Sequence, residues 1–207
     1  MAFGALPARP TVTSVPKLWP GEPIVCLGTG PSLTAADVAY VQGKARVIAV
    51  NDAYKLAPWA DVLYAADAKW WGWHKGVPGF AGLKYTAQPG AVRWPGVQLM
   101  HRSGLNGLDL NPRNIRTGFN SGYQAINMAV HFGAGKIVLL GYDMRGTHYF
   151  GQHPDRTVPP FVLCLKQFAT LVPPLAALGI PIVNATRQTA LTCFPCVPLE
   201  EALPCPA

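Results

Sequence analysis

The chain has 207 residues, half of them hydrophobic and 13% of them charged, with a formal net charge of +7 at pH 7. This composition excludes a disordered chain, and the length is sufficient for one domain with a substantial core. No apolar run approaches the roughly 20 residues that a membrane-spanning helix needs, so we expect no transmembrane segment.

The first 21 residues are rich in proline and lack the continuous apolar segment of a signal peptide. We therefore expect an extended leader over residues 1–21 and a single domain over residues 22–203. The five cysteines are odd in number and widely spread, which predicts free thiols and a reducing, cytoplasmic location. Cys193 and Cys196 have CxxC spacing, but a second ligand pair is missing, so we predict no metal there.

The N-terminal half predicts a βαβ unit. Residues 23–28 form a short apolar run that ends in glycine, which is typical of a strand buried in a parallel sheet. A helix capped by Ser32 or Thr34 follows and ends near Gly43. Two more strand patterns follow at residues 46–51 and 61–66.

The middle of the chain, residues 70–116, has no sustained period, although residues 83–86 and 97–100 could be short strands. Several basic residues alternate there with tryptophans, and no acidic residue occurs between Asp67 and Asp109. We expect an irregular basic and Trp-rich lid or insertion. It could receive an anionic or polymeric partner such as nucleic acid, or it could pack its aromatic side chains on the core.

Regular patterns return in the C-terminal half. A polar cap at residues 120–122 begins a helix that ends near Gly133, and a buried strand follows at residues 136–141. The last two predicted elements are a helix that begins at residue 161 and is interrupted by two prolines, and a strand at residues 180–184. The fold class is α/β, an open and mostly parallel Rossmann-like (GT-A-like) sheet flanked by helices.

Several polar or glycine-rich turns follow these strands or begin a helix, at the edge where parallel sheets bind ligands. We expect them to form a nucleotide-binding site, whose candidate residues are Gly28, Thr29, Gly30, Ser32, Asn51, Asp67, Ser121, Gly122 and Asp143. The turn at residues 28–32 lacks the lysine of a Walker A loop and the third glycine of the dinucleotide fingerprint. It could instead be a tight turn with a cap and no ligand, and either aspartate could simply fix a loop.

A predicted loop just past that edge contains His148, Tyr149 and His153. Histidine can act as a general base that deprotonates an acceptor hydroxyl, or as a general acid that protonates a leaving group. Tyrosine can donate a hydrogen bond to a departing phosphate. We predict His153, and then His148, as catalytic candidates. Because no Asp-x-Asp pair is present to hold a metal-bound pyrophosphate, the predicted chemistry is metal-independent.

Five segments in order resemble the bacterial sialyltransferases of glycosyltransferase family 42: GTGPSL at 28–33, VIAVND at 47–52, DVLYAADAKWW at 61–71, NSGYQAINMAVHFGAGKIVLLGYDM at 120–144 and HYFGQH at 148–153. They are also similar to a broader group of uncharacterised, often phage-borne proteins that includes the archaeal hydroxymethylpterin diphosphokinase MptE. The segment at residues 179–203 resembles the tail of that broader group.

This resemblance implies that the turn at residues 28–30 faces a nucleotide, that Asn51 holds the donor, and that Ser121 with Gly122 contacts the nucleotide. His153 matches the general base that takes the acceptor's proton. The sequence departs from family 42 at Thr29, where that family has asparagine. Arg145 and Tyr149 stand in the places of a tyrosine pair that supports the leaving phosphate.

Three functions follow as hypotheses. The first is a metal-independent glycosyltransferase-like enzyme without a cofactor, which takes a nucleotide-sugar donor and a hydroxyl-bearing acceptor. The second is an ATP- and Mg²⁺-dependent diphosphokinase of the MptE kind, with Asp67 and Asp143 as metal ligands. The third is a non-catalytic nucleotide- or nucleic-acid-binding module that uses the basic, Trp-rich segment.

Overall fold

The computed structural model describes residues 10–152, 154 and 160–205, so the prediction for His153 lies outside the described residues. Its main sheet has seven parallel strands: β1 (Pro23–Leu27), β2 (Arg46–Val50), β3 (Val62–Tyr64), β4 (Leu83–Thr86), β5 (Val97–Leu99), β8 (Lys136–Leu140) and β9 (Ile182–Asn184). A small second sheet pairs β6 (His101–Gly104) with β7 (Asn114–Arg116). The helices are α1 (Ala35–Val41), α2 (Ala68–Trp73), α3 (Ser121–Phe132), α4 (Phe161–Ala169), α5 (Val172–Ala177) and α6 (Leu199–Ala202). The predicted fold class is confirmed.

The sheet is covered on both faces. In β1, Ile24 and Cys26 belong to one core cluster, and Val25 and Leu27 belong to the other. Helices α3, α4 and α5 contribute to the first cluster, and α1, α2 and α6 contribute to the second. Successive side chains of a strand point to opposite faces, so these two clusters are the two sides of the sheet.

The strand order is β5-β4-β3-β2-β1-β8-β9. From β1 the chain moves outward to β5, and it then returns to add β8 and β9 on the opposite side of β1. The order therefore reverses between β1 and β8. Open α/β sheets bind ligands beyond the carboxyl ends of the strands at such a switch point.

Part of the segment predicted to be an irregular lid or insertion, residues 70–116, belongs to the main sheet. It supplies β4 and β5, and its first residues complete α2, in which Trp70 and Trp71 are buried. The strands have only four and three residues, so alternation was too short to identify them securely. Trp70 and Trp71 belong to the second core cluster, and Trp73 and Trp94 pack against it partly buried.

The C-terminal helix pattern is interrupted, as predicted, but the break precedes the two prolines. Helix α4 ends at Ala169, and Pro173 and Pro174 lie in the first turn of α5. Proline is tolerated in a first helical turn because its missing N–H has no intrahelical acceptor there.

Residues 10–21 run from the β5 edge of the sheet to the end of α3. The N–H of Thr13 donates to the carbonyl of Leu99 at 2.8 Å, next to a parallel bridge between Val12 and Leu99. Further along, Trp19 packs on Phe132 at the end of α3, with 4.5 Å between ring centroids. This segment therefore covers backbone groups that an edge strand would otherwise expose.

All five cysteines are free thiols, with Cys26 and Cys164 buried. Within the described residues, no helix combines the length and the hydropathy needed to cross a membrane.

Candidate functional site

A cleft of about 510 Å³ opens at the carboxyl ends of the central strands. Ten of the residues predicted for the site line it: Gly28, Thr29, Gly30, Asn51, Asp67, Ser121, Gly122, Asp143, Arg145 and His148. Ser32 and Tyr149 are outside the lining, and His153 is outside the described residues. Tertiary structure thus brings together residues from five separate loops.

The floor of the cleft is the junction between the turn after β1 and the turn after β8. Gly28 donates its N–H to Leu140 O at 2.7 Å, and Gly30 donates to Gly141 O at 2.8 Å. A Cβ atom on Gly28 would lie 2.5 Å from Gly141 O. The contact between the two turns therefore requires glycine, independently of whether a ligand also approaches the backbone there.

Asp143 fastens this junction. One carboxylate oxygen accepts the N–H of Ser32 at 2.9 Å. The other oxygen lies against Gly30, where a Cβ atom would overlap it, and has no hydrogen-bond partner among the described residues. Asp143 is only 2% exposed, so it holds the turn from within the protein at the point where it lines the cleft.

The N–H groups of this turn are largely used within the protein. Those of Gly28, Gly30, Ser32 and Leu33 all donate to chain acceptors, and in the described part of the chain only the Thr29 N–H of this turn lacks one. A phosphate cradle needs several free N–H groups that converge on the anion. As far as the described residues show, the turn therefore leaves one N–H donor, at Thr29, for a ligand.

The N-terminus of α3 forms a second wall. The side chain of Asn120 accepts from Gly122 N at 2.8 Å and from Tyr123 N at 3.2 Å, so it caps the helix. The hydroxyl of Tyr142 donates to the carbonyl of Gly122 at 3.0 Å, which ties this helix to the loop after β8. Ser121 lines the cleft between the Asn120 cap and the contact of Tyr142 with Gly122.

The histidine loop is attached to the glycine turn. Thr29 Oγ1 and His148 Nδ1 share a hydrogen bond of 2.8 Å, and the backbone N–H of Tyr149 donates to Thr29 O at 2.9 Å. The imidazole of His148 also stacks on Phe150, with 4.9 Å between centroids and an interplanar angle of 2°. His148 therefore enters the cleft in a fixed orientation.

Tyr149 lies behind this wall. Its hydroxyl donates to the backbone carbonyl of Asp52 at 2.7 Å. Burial, followed by the negative charge of Asp52, raises the pKa of Tyr149 to about 12. This phenol stays protonated at neutral pH and anchors the histidine loop to the segment after β2.

The opposite wall carries polar side chains that follow β2, β3 and β4. Gln88 connects two of these loops, since its amide donates to Asp67 at 3.0 Å and its carbonyl accepts from Ala68 N at 2.9 Å. Asn51 begins a 3₁₀ helix over Asn51–Lys55. Lys69 adds a positive charge to this side of the cleft.

A buried carboxylate supports this wall from beneath. Asp52 accepts from Trp70 Nε1 at 2.8 Å and pairs with Lys55 Nζ at 2.5 Å, and His74 Nε2 lies 3.5 Å away. Burial alone would raise the pKa of Asp52, but hydrogen bonds with His74, Lys55 and Trp70 outweigh it and hold that pKa well below its usual value. Asp52 thereby fixes α2 under the cleft.

Three non-glycine residues with left-handed backbone line the cleft: Asn51 at φ 51°, Phe119 at φ 56° and Met144 at φ 52°. Such conformations cost free energy and tend to collect at functional sites. Of these three residues, only Asn51 was predicted from the sequence to lie at the site. Gln88, Pro160 and Phe161 also line the cleft and were not predicted.

Within the described ranges, no group of three or more His, Cys, Asp or Glu side chains is placed to hold a metal ion. Arg145 reaches the rim of the cleft, where its guanidinium donates to Gln188 at 3.1 Å. Together with Lys69 and His148 it places basic groups around the opening.

No family model and no curated protein matches the sequence. Among solved structures, the fold is similar to that of the MAf glycosyltransferase from Magnetospirillum magneticum AMB-1, with a TM-score of 0.67 and 10% identity. The alignment covers 93% of this chain and 36% of that chain, so the chain spans little more than a third of that protein's length. At this identity the likeness establishes a Rossmann-like fold that a glycosyltransferase also has.

Proposed function

We propose that the chain is a glycosyltransferase-like enzyme that binds a nucleotide-sugar donor in this cleft and transfers the sugar to a hydroxyl-bearing acceptor. The observation that carries the proposal is the meeting of the loops after β1, β2, β3 and β8 with the N-terminus of α3 at the switch point of the sheet. The similarity to a glycosyltransferase fold adds support.

The cleft has groups suited to the parts of such a donor. Asn51 and Ser121 offer hydrogen-bonding side chains for sugar or ribose hydroxyls. Lys69 and Arg145 provide positive charge for the phosphates, with guanidinium geometry suited to two phosphate oxygens. The Thr29 N–H, which donates to no acceptor among the described residues, can add one donor.

In the proposed reaction the acceptor oxygen forms a bond to the anomeric carbon, and the bond from that carbon to the donor phosphate breaks. His153 takes the proton of the acceptor hydroxyl, and the nucleotide leaves with the electron pair of the broken bond. Arg145 stabilises the charge that develops on the departing phosphate. This assignment of His153 comes from the resemblance to glycosyltransferase family 42.

The proposed chemistry uses no metal. The cleft carboxylates Asp143 and Asp67 each accept a hydrogen bond from the protein, from Ser32 N and from Gln88, and the second oxygen of Asp143 is buried against Gly30. Using Asp143 as a metal ligand would require the glycine turn to rearrange. This arrangement supports transfer by charge and hydrogen bonds over the diphosphokinase chemistry of the MptE kind.

The test is a thermal-shift screen of CMP, UDP, GDP, ADP and ATP with and without Mg²⁺, followed by nucleotide-release assays with the matching nucleotide sugars. A ligand that binds only the native state raises the melting temperature. We expect a shift with one mono- or diphosphate in EDTA. We also expect His153→Ala to keep the shift and to lose nucleotide release by at least about 100-fold.

His101→Ala is the matched control, because His101 is exposed on β6 and is absent from the cleft lining. A shift only with ATP and Mg²⁺ would support diphosphate transfer instead. Strongly salt-dependent DNA binding without turnover would indicate a nucleic-acid-binding module. Either of these results would contradict the proposal.

A further inference from the structure

Phe119 is an aromatic side chain exposed at the wall of the cleft. It is 54% exposed, although the neighbouring residues Gly118 and Gly122 are buried. Its backbone has a φ of 56°, a conformation that is unfavourable for a bulky side chain. The protein therefore bears both backbone strain and exposed apolar surface at this position.

The surrounding turn is held rigidly. Gly118 has a φ of 48°, and a side chain there would overlap the ring of Tyr123. The hydroxyl of Tyr123 donates to Gly107 O at 2.8 Å. On the other side, Asn120 N donates to Thr117 O at 3.1 Å. Phe119 is thus presented by a fixed backbone, which lowers the entropy that a ligand contact would cost.

Helix α4 extends this apolar surface. The thiol of Cys164 donates to the carbonyl of Phe119 at 3.7 Å, so the two segments are in contact. Phe161 and Pro160 lie about one helical turn before Cys164 and also line the cleft. Met144 supplies a further apolar side chain to the lining.

Several polar groups of the cleft lie on other elements. Asp67, Lys69 and Gln88 follow β3 and β4, and α2 packs on the opposite face of the sheet from α3 and α4. The α3 side of the cleft therefore carries the apolar surface of Phe119, Phe161 and Met144 beside Ser121, and the α2 side carries Asp67, Lys69 and Gln88 beside Trp70 and Trp73. A nucleotide sugar can match this arrangement, with its flat base on the phenyl rings and its hydroxyl-rich sugar toward the polar side chains.

We infer that Phe119 is the stacking platform for the donor's nucleobase, with Phe161 beside it, and that the sugar lies toward Asn51 and Gln88. This inference rests on the proposed function and adds the orientation of the donor. Base–aromatic stacking tolerates every base, because each base has a π-face. The platform fixes the direction in which the donor lies and leaves the choice of base to other groups.

The test compares the affinities of wild type, Phe119→Gly and Phe119→Tyr by calorimetry. Phe119→Gly removes the ring and also relieves the left-handed backbone, so we expect its melting temperature to equal or exceed that of wild type. We expect it to bind the nucleotide found in the screen at least about fivefold more weakly. Phe119→Tyr keeps a ring and should bind within about twofold of wild type.

Two controls separate a base contact from a general effect. Ribose 5-phosphate lacks the base, so its affinity should be equal for wild type and Phe119→Gly. Leu110→Ala removes another exposed apolar side chain, 62% exposed and absent from the cleft lining, and should bind the nucleotide as wild type does.

Equal nucleotide affinity of Phe119→Gly and wild type would overturn the platform and leave the proposed function intact. An equal loss of affinity for ribose 5-phosphate would also overturn it. Failure of wild type to bind any nucleotide would overturn the platform and the proposed function together.

Discussion

The carboxylate of Asp143 accepts the backbone N–H of Ser32 at 2.9 Å, which joins the loops that follow β8 and β1 across the switch point of the sheet. Two strands separated by more than 100 residues of chain thereby share one rigid turn at the base of the cleft. Gly30 allows this contact, because a Cβ atom there would overlap the second oxygen of Asp143.

Replacing Gly30 by alanine should open this junction. Overpacking of this kind costs about 1–3 kcal/mol, and we expect Gly30→Ala to lose stability at the upper end of that range and to weaken nucleotide binding. Gly79→Ala is the matched control, since a Cβ atom at Gly79 meets nothing within 4 Å. Urea denaturation measures both variants. Equal stability of the two would show that the junction adapts without cost.

Trp19 anchors the N-terminal segment to the domain. It is 7% exposed and packs on Phe132, whereas its neighbour Leu18 is 48% exposed. Removing a buried tryptophan side chain costs about 3–5 kcal/mol, so Trp19→Ala should lower the free energy of unfolding by roughly that amount. Leu18→Ala should change it by less than about 0.5 kcal/mol. A small effect at Trp19 would mean that residues 10–21 contribute little to folding.

Stability should depend on pH through Asp52. Because its folded-state pKa is depressed, the carboxylate stabilises the protein fully above the unfolded-state pKa of about 4. That contribution is lost as the pH falls from there toward the lower folded-state pKa. Asp52→Asn should therefore be less stable than wild type by on the order of 2 kcal/mol at pH 7, and the difference should shrink as the pH approaches about 2.

Denaturation curves at several pH values between about 7 and 2 measure this difference. Glu200→Gln is the control for loss of a carboxylate charge, because Glu200 is exposed on α6. A difference between Asp52→Asn and wild type that stays constant over the whole range would contradict the assignment.

Thr29 and His148 should be energetically coupled. Their 2.8 Å hydrogen bond joins the glycine turn to the histidine loop. A double-mutant cycle with Thr29→Val and His148→Phe, read by nucleotide affinity, should give an interaction free energy of at least about 0.5 kcal/mol. The pair Thr29→Val and His101→Phe should be additive. Additivity in the first cycle would show that the bond does not position His148 for the ligand.

Sequence patterns located the central elements well. The strand patterns at residues 23–28, 46–51 and 136–141 match β1, β2 and β8 to within one residue, since fully buried parallel strands are continuous apolar runs. Thr34, one of the two predicted caps, begins α1 with a capping box that includes Asp37. Such strands and caps are determined by residues that are close together in the chain, so they can be recognised from the sequence alone.

The peripheral elements were harder to predict. β4 and β5 are too short for alternation to be decisive, and they are stable because they pair with β3 and with each other. Gln88 shows the same limit at the site. Its amide connects Asp67 and Ala68, a contact that exists only once β3 and β4 are adjacent.

By itself the sequence determined the order of the strands along the chain and the polar turns that follow them, because both depend on local hydrophobic pattern and turn chemistry. Only the tertiary structure decided what those turns do. Asp143 holds the glycine turn, Tyr149 lies behind the cleft, and Phe119 lines the cleft. These contacts join distant segments of the chain, so they depend on the strand order and on close packing. The charge and shape of the cleft follow from that packing.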